Sequence, residues 1–313
     1  MTKSAHVPNL LRTQNLPQGA LSRRCAAWQS RLEAWNGERR KAIDLYCGGR
    51  WSVVRRIANG NNGRLKEIDC WVVSAGYGLI RASTQIAPYS ATFSPGDADS
   101  VSRFRGQLVP TENVEWWEAL SSWRPSGMHG PRSLRDAFRR WPTNVHLFVL
   151  SPVYLDAISK DLVAARAELR NPEKLVIISE GKKRHGELNG SVITAPAALQ
   201  SVLGGALVSL SARLASEVLC RLPVDRLRCE EVRRFVSRLL RRAKPKRIPQ
   251  RLRRSDIQVS GFIRRSSNSD FAGSYTRLLQ AYRDAGYACE MRRFKNLYQT
   301  ARSRRIGWAK SHA

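Results

Sequence analysis

Apolar positions near the N-terminus recur with helical spacing. Leu21, Trp28, Leu32 and Trp35 fall seven, four and three residues apart, which predicts an amphipathic helix over 21–43 whose apolar face belongs to a core. The pattern then changes. Cys70–Ser74 (CWVVS), Val145–Leu150 (VHLFVL) and Lys174–Ser179 (KLVIIS) are short runs, apolar almost throughout, as expected of strands buried on both faces. Residues 152–169 between the last two have a helical pattern. Short apolar strands alternating with helices predict an α/β fold, with a parallel sheet covered by helices. Ligands of such sheets bind beyond the carboxyl ends of the strands. A serine ends or follows each run, at Ser74, Ser151 and Ser179, which directs attention to the loops after them. Serine also starts turns and caps helices, and for any one of the three that plainer role fits better.

Residues 195–222 continue as a long, largely apolar helical segment with Gly204-Gly205 inside it, closing a first domain over 1–222. Composition shifts beyond it: residues 221–313 hold about 25 Lys and Arg against about 7 Asp and Glu. Residues 223–255 read as a basic linker or arm, with Arg238–Arg254 (RLLRRAKPKRIPQRLRR) its most basic stretch. Residues 256–313 read as a basic, mostly helical C-terminal module. Within it, 256–263 has the look of a short strand. Residues 270–285 form a helix entered through a Gly-Ser-x-Thr turn and stopped by Gly286, and Met291–Arg305 is a second helix, basic on its polar side. Two short basic helices suit a winged-helix or helix-turn-helix module.

Charge then narrows the partners. The 313 residues carry 54 Lys and Arg against 25 Asp and Glu, a formal net charge of +29, whereas a small soluble domain is comfortable at roughly 2–8. Self-repulsion on this scale opposes a compact state unless a polyanion neutralises it, and nucleic acid collects cationic faces through counterion release. The expected partner is nucleic acid, DNA ahead of RNA. No run of about 18 apolar residues is present, nor a secretory leader in residues 1–20, so no membrane partner and a cytoplasmic location are expected. The six cysteines form no Cys-x-x-Cys pair and the five histidines lack zinc-ligand spacing, so reduced thiols, no metal and no cofactor are expected. At 42% hydrophobic residues the chain can bury a large core, with a smaller second domain.

Candidate chemistry centres on three stretches: Asp44-Leu-Tyr46-Cys47-Gly48-Gly49-Arg50, Ser74-Ala-Gly76-Tyr77-Gly78-Leu79, and Pro88-Tyr89. Two glycines after a strand allow a sharp bend that frees backbone amides for a ligand and leaves Ser74 and Tyr77 exposed. The run SAGYGLIRASTQIAPY, with Tyr46-x-Gly48 upstream, resembles the signature of the YaaA-like (peroxide-stress) family. The likeness is most specific over residues 40–95, looser to about 220, and does not reach the basic C-terminal part. It implies an association with nucleic acid. One branch of that family, DpdC, accompanies the machinery that inserts 7-deazaguanine bases into DNA and is linked to converting the cyano group of the inserted base into an amide. No second catalytic motif ties this sequence to that branch.

Under that reading the protein hydrates the nitrile of 7-cyano-7-deazaguanine in DNA. Cys47 is the candidate nucleophile, with Arg50 lowering its pKa; a small buried thiol is the plainer account. Tyr77 and Tyr89 would stack on an extruded base or donate a proton, or serve as core aromatics. Asp44 or Glu180 would act as general base. Tyr46, Gly48, Arg50, Ser74, Gly76, Gly78 and Tyr89 would line the substrate pocket. Phosphates would meet Lys182, Lys183, Arg184, Arg241, Arg242, Lys244, Lys246, Arg247, Arg253, Arg254, Arg277, Arg283, Arg292 and Arg293. The competing reading is a non-catalytic DNA- or RNA-binding protein of a stress-response or defence nucleoprotein complex. A third is an adaptor whose basic arm folds on its partner, among other proteins of a DNA-modification or defence system.

Overall fold

A computed structural model describes residues 6–60, 68–104, 107–108, 111–181, 185–244, 250–266 and 274–311. The chain divides into two compact units, Met1–Pro245 and Lys246–Ala313. The first is mixed α/β and opens with α1 (Leu21–Glu33), which buries Trp28 and Leu32. The helical stripe therefore ends ten residues earlier than its spacing predicts, and Trp35 lies beyond the helix. Then follow β1 (Arg40–Lys41), α2 (Ala42–Leu45) and α3 (Gly49–Ala58). Next, β2 (Trp71–Ser74) and β3 (Gly78–Arg81) pair antiparallel, Trp71 opposite Arg81 and Ser74 opposite Gly78. Thus 70–74 is a strand, but it belongs to a tight hairpin and not to a parallel sheet. After it come β4 (Gln85–Ile86), antiparallel to β1, the pair β5 (Arg103–Phe104) and β6 (Gln107–Leu108), and helices α4 (Glu112–Ser122) and α5 (Leu134–Arg140).

The centre of this unit is a three-stranded parallel sheet, β7 (His146–Leu150), β8 (Leu175–Ser179) and β9 (Val192–Thr194), in that spatial order. The first crossover is α6 (Pro152–Arg166), with Ser151 at its N-cap and Pro152 in its first turn, where a missing N–H costs nothing. Side chains of β8 alternate between two cores. Leu175 and Ile177 join Leu155, Ile158 and Leu162 of α6 with the tryptophans of the N-terminal half. Val176 and Ile178 face α8 (Leu210–Arg221) and α9 (Cys229–Arg242) through Leu214, Val218, Val232 and Phe235.

Two boundaries differ from the sequence expectation. Residues 195–222 are not one helix. The short α7 (Gln200–Leu203) stops at Gly204 and Gly205, both at positive φ (67° and 63°), a conformation that ends a helix. Nor is 223–255 a continuous linker. Cys229, Val232, Phe235, Val236 and Leu239 of α9 are buried, which makes this helix part of the first unit and moves the division to Pro245.

The second unit holds α10 (Asp256–Ser266), α11 (Tyr275–Asp284) and α12 (Met291–Ser311), with a short parallel pair of β10 (Leu252–Arg253) and β11 (Tyr287–Ala288). Its core is Val259, Ile263, Leu278, Leu279, Tyr282 and Phe294. The expected strand at 256–263 is helical, because Val259 and Ile263, four apart, are its buried pair. At α11, Ser274 caps the first turn by accepting from the Arg277 amide, and Gly286 follows its end at φ 84°.

Candidate functional site

Ala75, Gly76 and Tyr77 make the turn between β2 and β3, and its polar groups are already taken. Ser74 Oγ accepts from the amides of Gly76 (3.1 Å) and Tyr77 (2.9 Å). The indole N–H of Trp28 donates to the Gly76 carbonyl and that of Trp116 to the Ala75 carbonyl, each at 2.8 Å. Arg132, 3% exposed, donates to the carbonyls of Tyr77, Leu79 and Trp123. Burial pushes its pKa down to about 10. Gly76 is required by proximity: a Cβ there would stand 2.3 Å from the Tyr89 ring. Gly78 sits at φ 72°, against the Leu120 carbonyl.

The tyrosines expected to hold a substrate hold one another. Tyr89 Oη lies 2.6 Å from both Tyr46 Oη and Ser74 Oγ, while Tyr77 Oη accepts from the Ala87 amide at 3.0 Å. Tyr46 stacks on Trp51, Tyr77 on Trp123, and Tyr77 meets Tyr89 edge-on. Ser74, Tyr46, Tyr77 and Tyr89 are at most 1% exposed. This corrects the expectation of an exposed turn with free amides: the Ser74 hydroxyl satisfies the amides and the rings fill the space between the strands and α1. Desolvation raises the pKa of all three phenols, Tyr77 to about 12, so they stay neutral at ordinary pH.

The remaining candidates lie nearer the surface. Asp44 and Gly48 are exposed, Cys47 and Arg50 half-buried. Gly48, at φ 98°, lets the chain turn into α3. Arg50 in the first turn of α3 reaches Glu180, just past the carboxyl end of β8, at 2.6 Å. Glu180 also accepts from Ser211, and Arg50 donates to the Val208 carbonyl at 3.3 Å. Arg50 thus serves a carboxylate rather than standing free for the Cys47 thiol. The structure joins the loop 47–50 to the carboxyl end of the parallel sheet, a contact no sequence spacing announces. Arg132 and the two tryptophans that hold the turn were likewise missed; Trp28 was visible only as part of the α1 stripe.

Among the basic candidates, Arg241, Arg242 and Lys244 are exposed at the end of α9, as are Arg253, Arg277 and Arg292 in the second unit. Arg254 lies over the Tyr287 ring at 4.9 Å. Arg283 donates to the Cys289 carbonyl, and Arg293 pairs with Asp256 at 2.6 Å while donating to the Arg254 carbonyl. These last two staple their unit together. Lys182, Lys183, Arg184, Lys246 and Arg247 lie outside the described residues.

Among the described residues no cluster of His, Cys, Asp or Glu is placed to hold a metal ion, and no single helix is long and apolar enough to cross a membrane. No family model, no curated protein and no solved structure matches this chain.

Proposed function

We propose that the protein binds nucleic acid through arginine-rich surfaces of its two units. The observation that carries this reading is where the excess charge stands. A helix with its apolar face locked into the first unit turns Arg234, Arg238, Arg241 and Arg242 outward, and the second unit adds Arg253, Arg277 and Arg292. Residues 246–313 hold about 16 Lys and Arg against about 4 Asp and Glu, a charge balance that supports the reading. Such surfaces supply sequence-independent affinity for phosphates. Titration of a labelled DNA duplex with the full chain tests it: saturable binding at low salt is expected, and its absence would refute the reading.

A narrower reading makes the protein an enzyme that hydrates the nitrile of 7-cyano-7-deazaguanine in DNA. The Arg50–Glu180 contact favours it, since it ties Arg50, in the first turn of α3 and three residues after Cys47, to the strand end where parallel sheets bind ligands. The Cys47 thiolate would add to the nitrile carbon as the nitrogen takes a proton, giving a thioimidate. Water would then add to that carbon and the thiolate leave, the product being the amide, one water heavier. Asp44 or Glu180 would take the proton from water. With Tyr46, Tyr77 and Tyr89 sealed in the core, the base would meet the outer loop. Incubation with duplex carrying the modified base, followed by nucleoside mass spectrometry, tests this: a gain of one water lost in Cys47→Ala supports it, and an unchanged mass removes it.

A further inference from the structure

We propose that the outer face of α9 is a docking surface for the sugar-phosphate backbone, an inference that rests on the nucleic-acid reading above and assigns it a place. Val232, Phe235, Val236 and Leu239 fix the inward side of the helix in the core, which leaves the opposite side rigidly presented. Charge along that side is uneven. In the first turns Glu231 pairs with Arg234 at 2.9 Å, Glu230 also contacts Arg234, and Arg233 is tied to the Gly190 carbonyl. After Glu231 the sequence has no acidic residue before Asp256, and Arg238, Arg241, Arg242 and Lys244 follow, all exposed.

Shape agrees with charge. Glu230, Arg233, Arg234, Ser237, Arg238 and Arg241 line a shallow hollow on this face, and the Arg238 guanidinium lies over the Phe235 ring at 5.8 Å. Arginine forks and a serine hydroxyl are the donors that phosphodiester oxygens accept from. Arg238 and Arg241, at i and i+3, stand about one helical turn apart on this face, and each strand of a duplex presents a phosphate every ~3.4 Å of its axis. Cations in the last turn also oppose the helix dipole, but that role does not need Arg238, a turn earlier. A lipid surface fits less well, because the apolar residues of α9 that would enter it are in the core.

The test is the salt dependence of duplex binding by the full chain, read by fluorescence anisotropy. The variant Arg238→Gln/Arg241→Gln/Arg242→Gln keeps good helix formers, and an unchanged thermal midpoint confirms that it folds. Its slope of log K against log[salt] should be shallower than wild type by about 2 to 3. Arginine-to-lysine changes at the same positions should restore the slope. Arg135→Gln/Arg139→Gln, at residues paired with Glu168 on α5, should leave it unchanged. Wild-type binding with the same slope in the α9 variant would overturn this surface and leave the nucleic-acid reading standing. No duplex binding by wild type would overturn both. A larger loss on phosphatidylserine vesicles than on duplex would assign the face to membranes instead.

Discussion

Tyr89 and Ser74 meet through their hydroxyls at 2.6 Å inside the core, and the same Ser74 oxygen accepts the amides of Gly76 and Tyr77. The glycine-rich turn is therefore held by the protein itself. Ser74→Ala would strand two buried amides, at about 1–3 kcal/mol for each unsatisfied group. Tyr89→Phe, which keeps the ring in place, should cost less. Urea midpoints should fall in that order with unchanged m-values. A Ser74→Ala protein as stable as wild type would show that the turn's amides find another acceptor.

Alkaline pH should unfold the first unit. Burial pushes the phenols of Tyr77 and Tyr154 to about 12, whereas an unfolded chain releases them near pH 10. Between about 10 and about 12 the folded state keeps protons that the unfolded state has lost, so stability falls as pH rises through that window. Phenolate absorbance followed with circular dichroism should show these tyrosines ionising together with unfolding; ionisation of every phenol near pH 10 in a folded chain would contradict their burial.

Thiol labelling at about pH 8 should separate the cysteines. Burial raises Cys25 to about 12 and both Cys70 and Cys229 to about 11, so these react slowly. Cys47 and Cys220, half-buried, form the fast class, and Cys47→Ser removes part of it. A fast class untouched by that change would place Cys47 out of reach of any substrate.

Truncation locates the domain boundary. A chain ending at residue 245 should unfold cooperatively, because it keeps α9 over Val176, Ile178 and Ile193. A chain ending at residue 228 uncovers that face of the sheet and should be unfolded or aggregated. Equal stability of the two would mean that α9 is the loose arm its composition suggests.

The sequence made some of this legible. Continuous apolar runs made the parallel strands β7 and β8 legible; β8 is buried at every position, as a strand covered on both faces is, whereas β7 is half-buried along most of its length. The 70–74 run was equally apolar, yet its antiparallel partner follows after a turn of only three residues, and a turn of Ala-Gly-Tyr does not advertise a hairpin. In α9 the arginines hid a regular stripe of Val232, Phe235, Val236 and Leu239; reading charge before periodicity turned a packed helix into an arm. In α10, expected as a strand, Ile257 is 80% exposed and Val259 fully buried, which no strand face would give two residues apart. Of the candidate residues, Tyr46, Ser74, Tyr77 and Tyr89 come together, while Arg50 reaches Glu180 instead. Which of them face solvent depends on how Trp28, Trp51, Trp116 and Trp123 pack around them, and no local pattern encodes that.

The most direct measurement is the binding constant of the full chain for a DNA duplex across a range of salt concentrations. A straight line of steep negative slope in log K against log[salt] is the expected result, each neutralised phosphate adding about 0.9 to it. Binding that ignores salt, or none at low salt, would contradict a nucleic-acid partner for this charge.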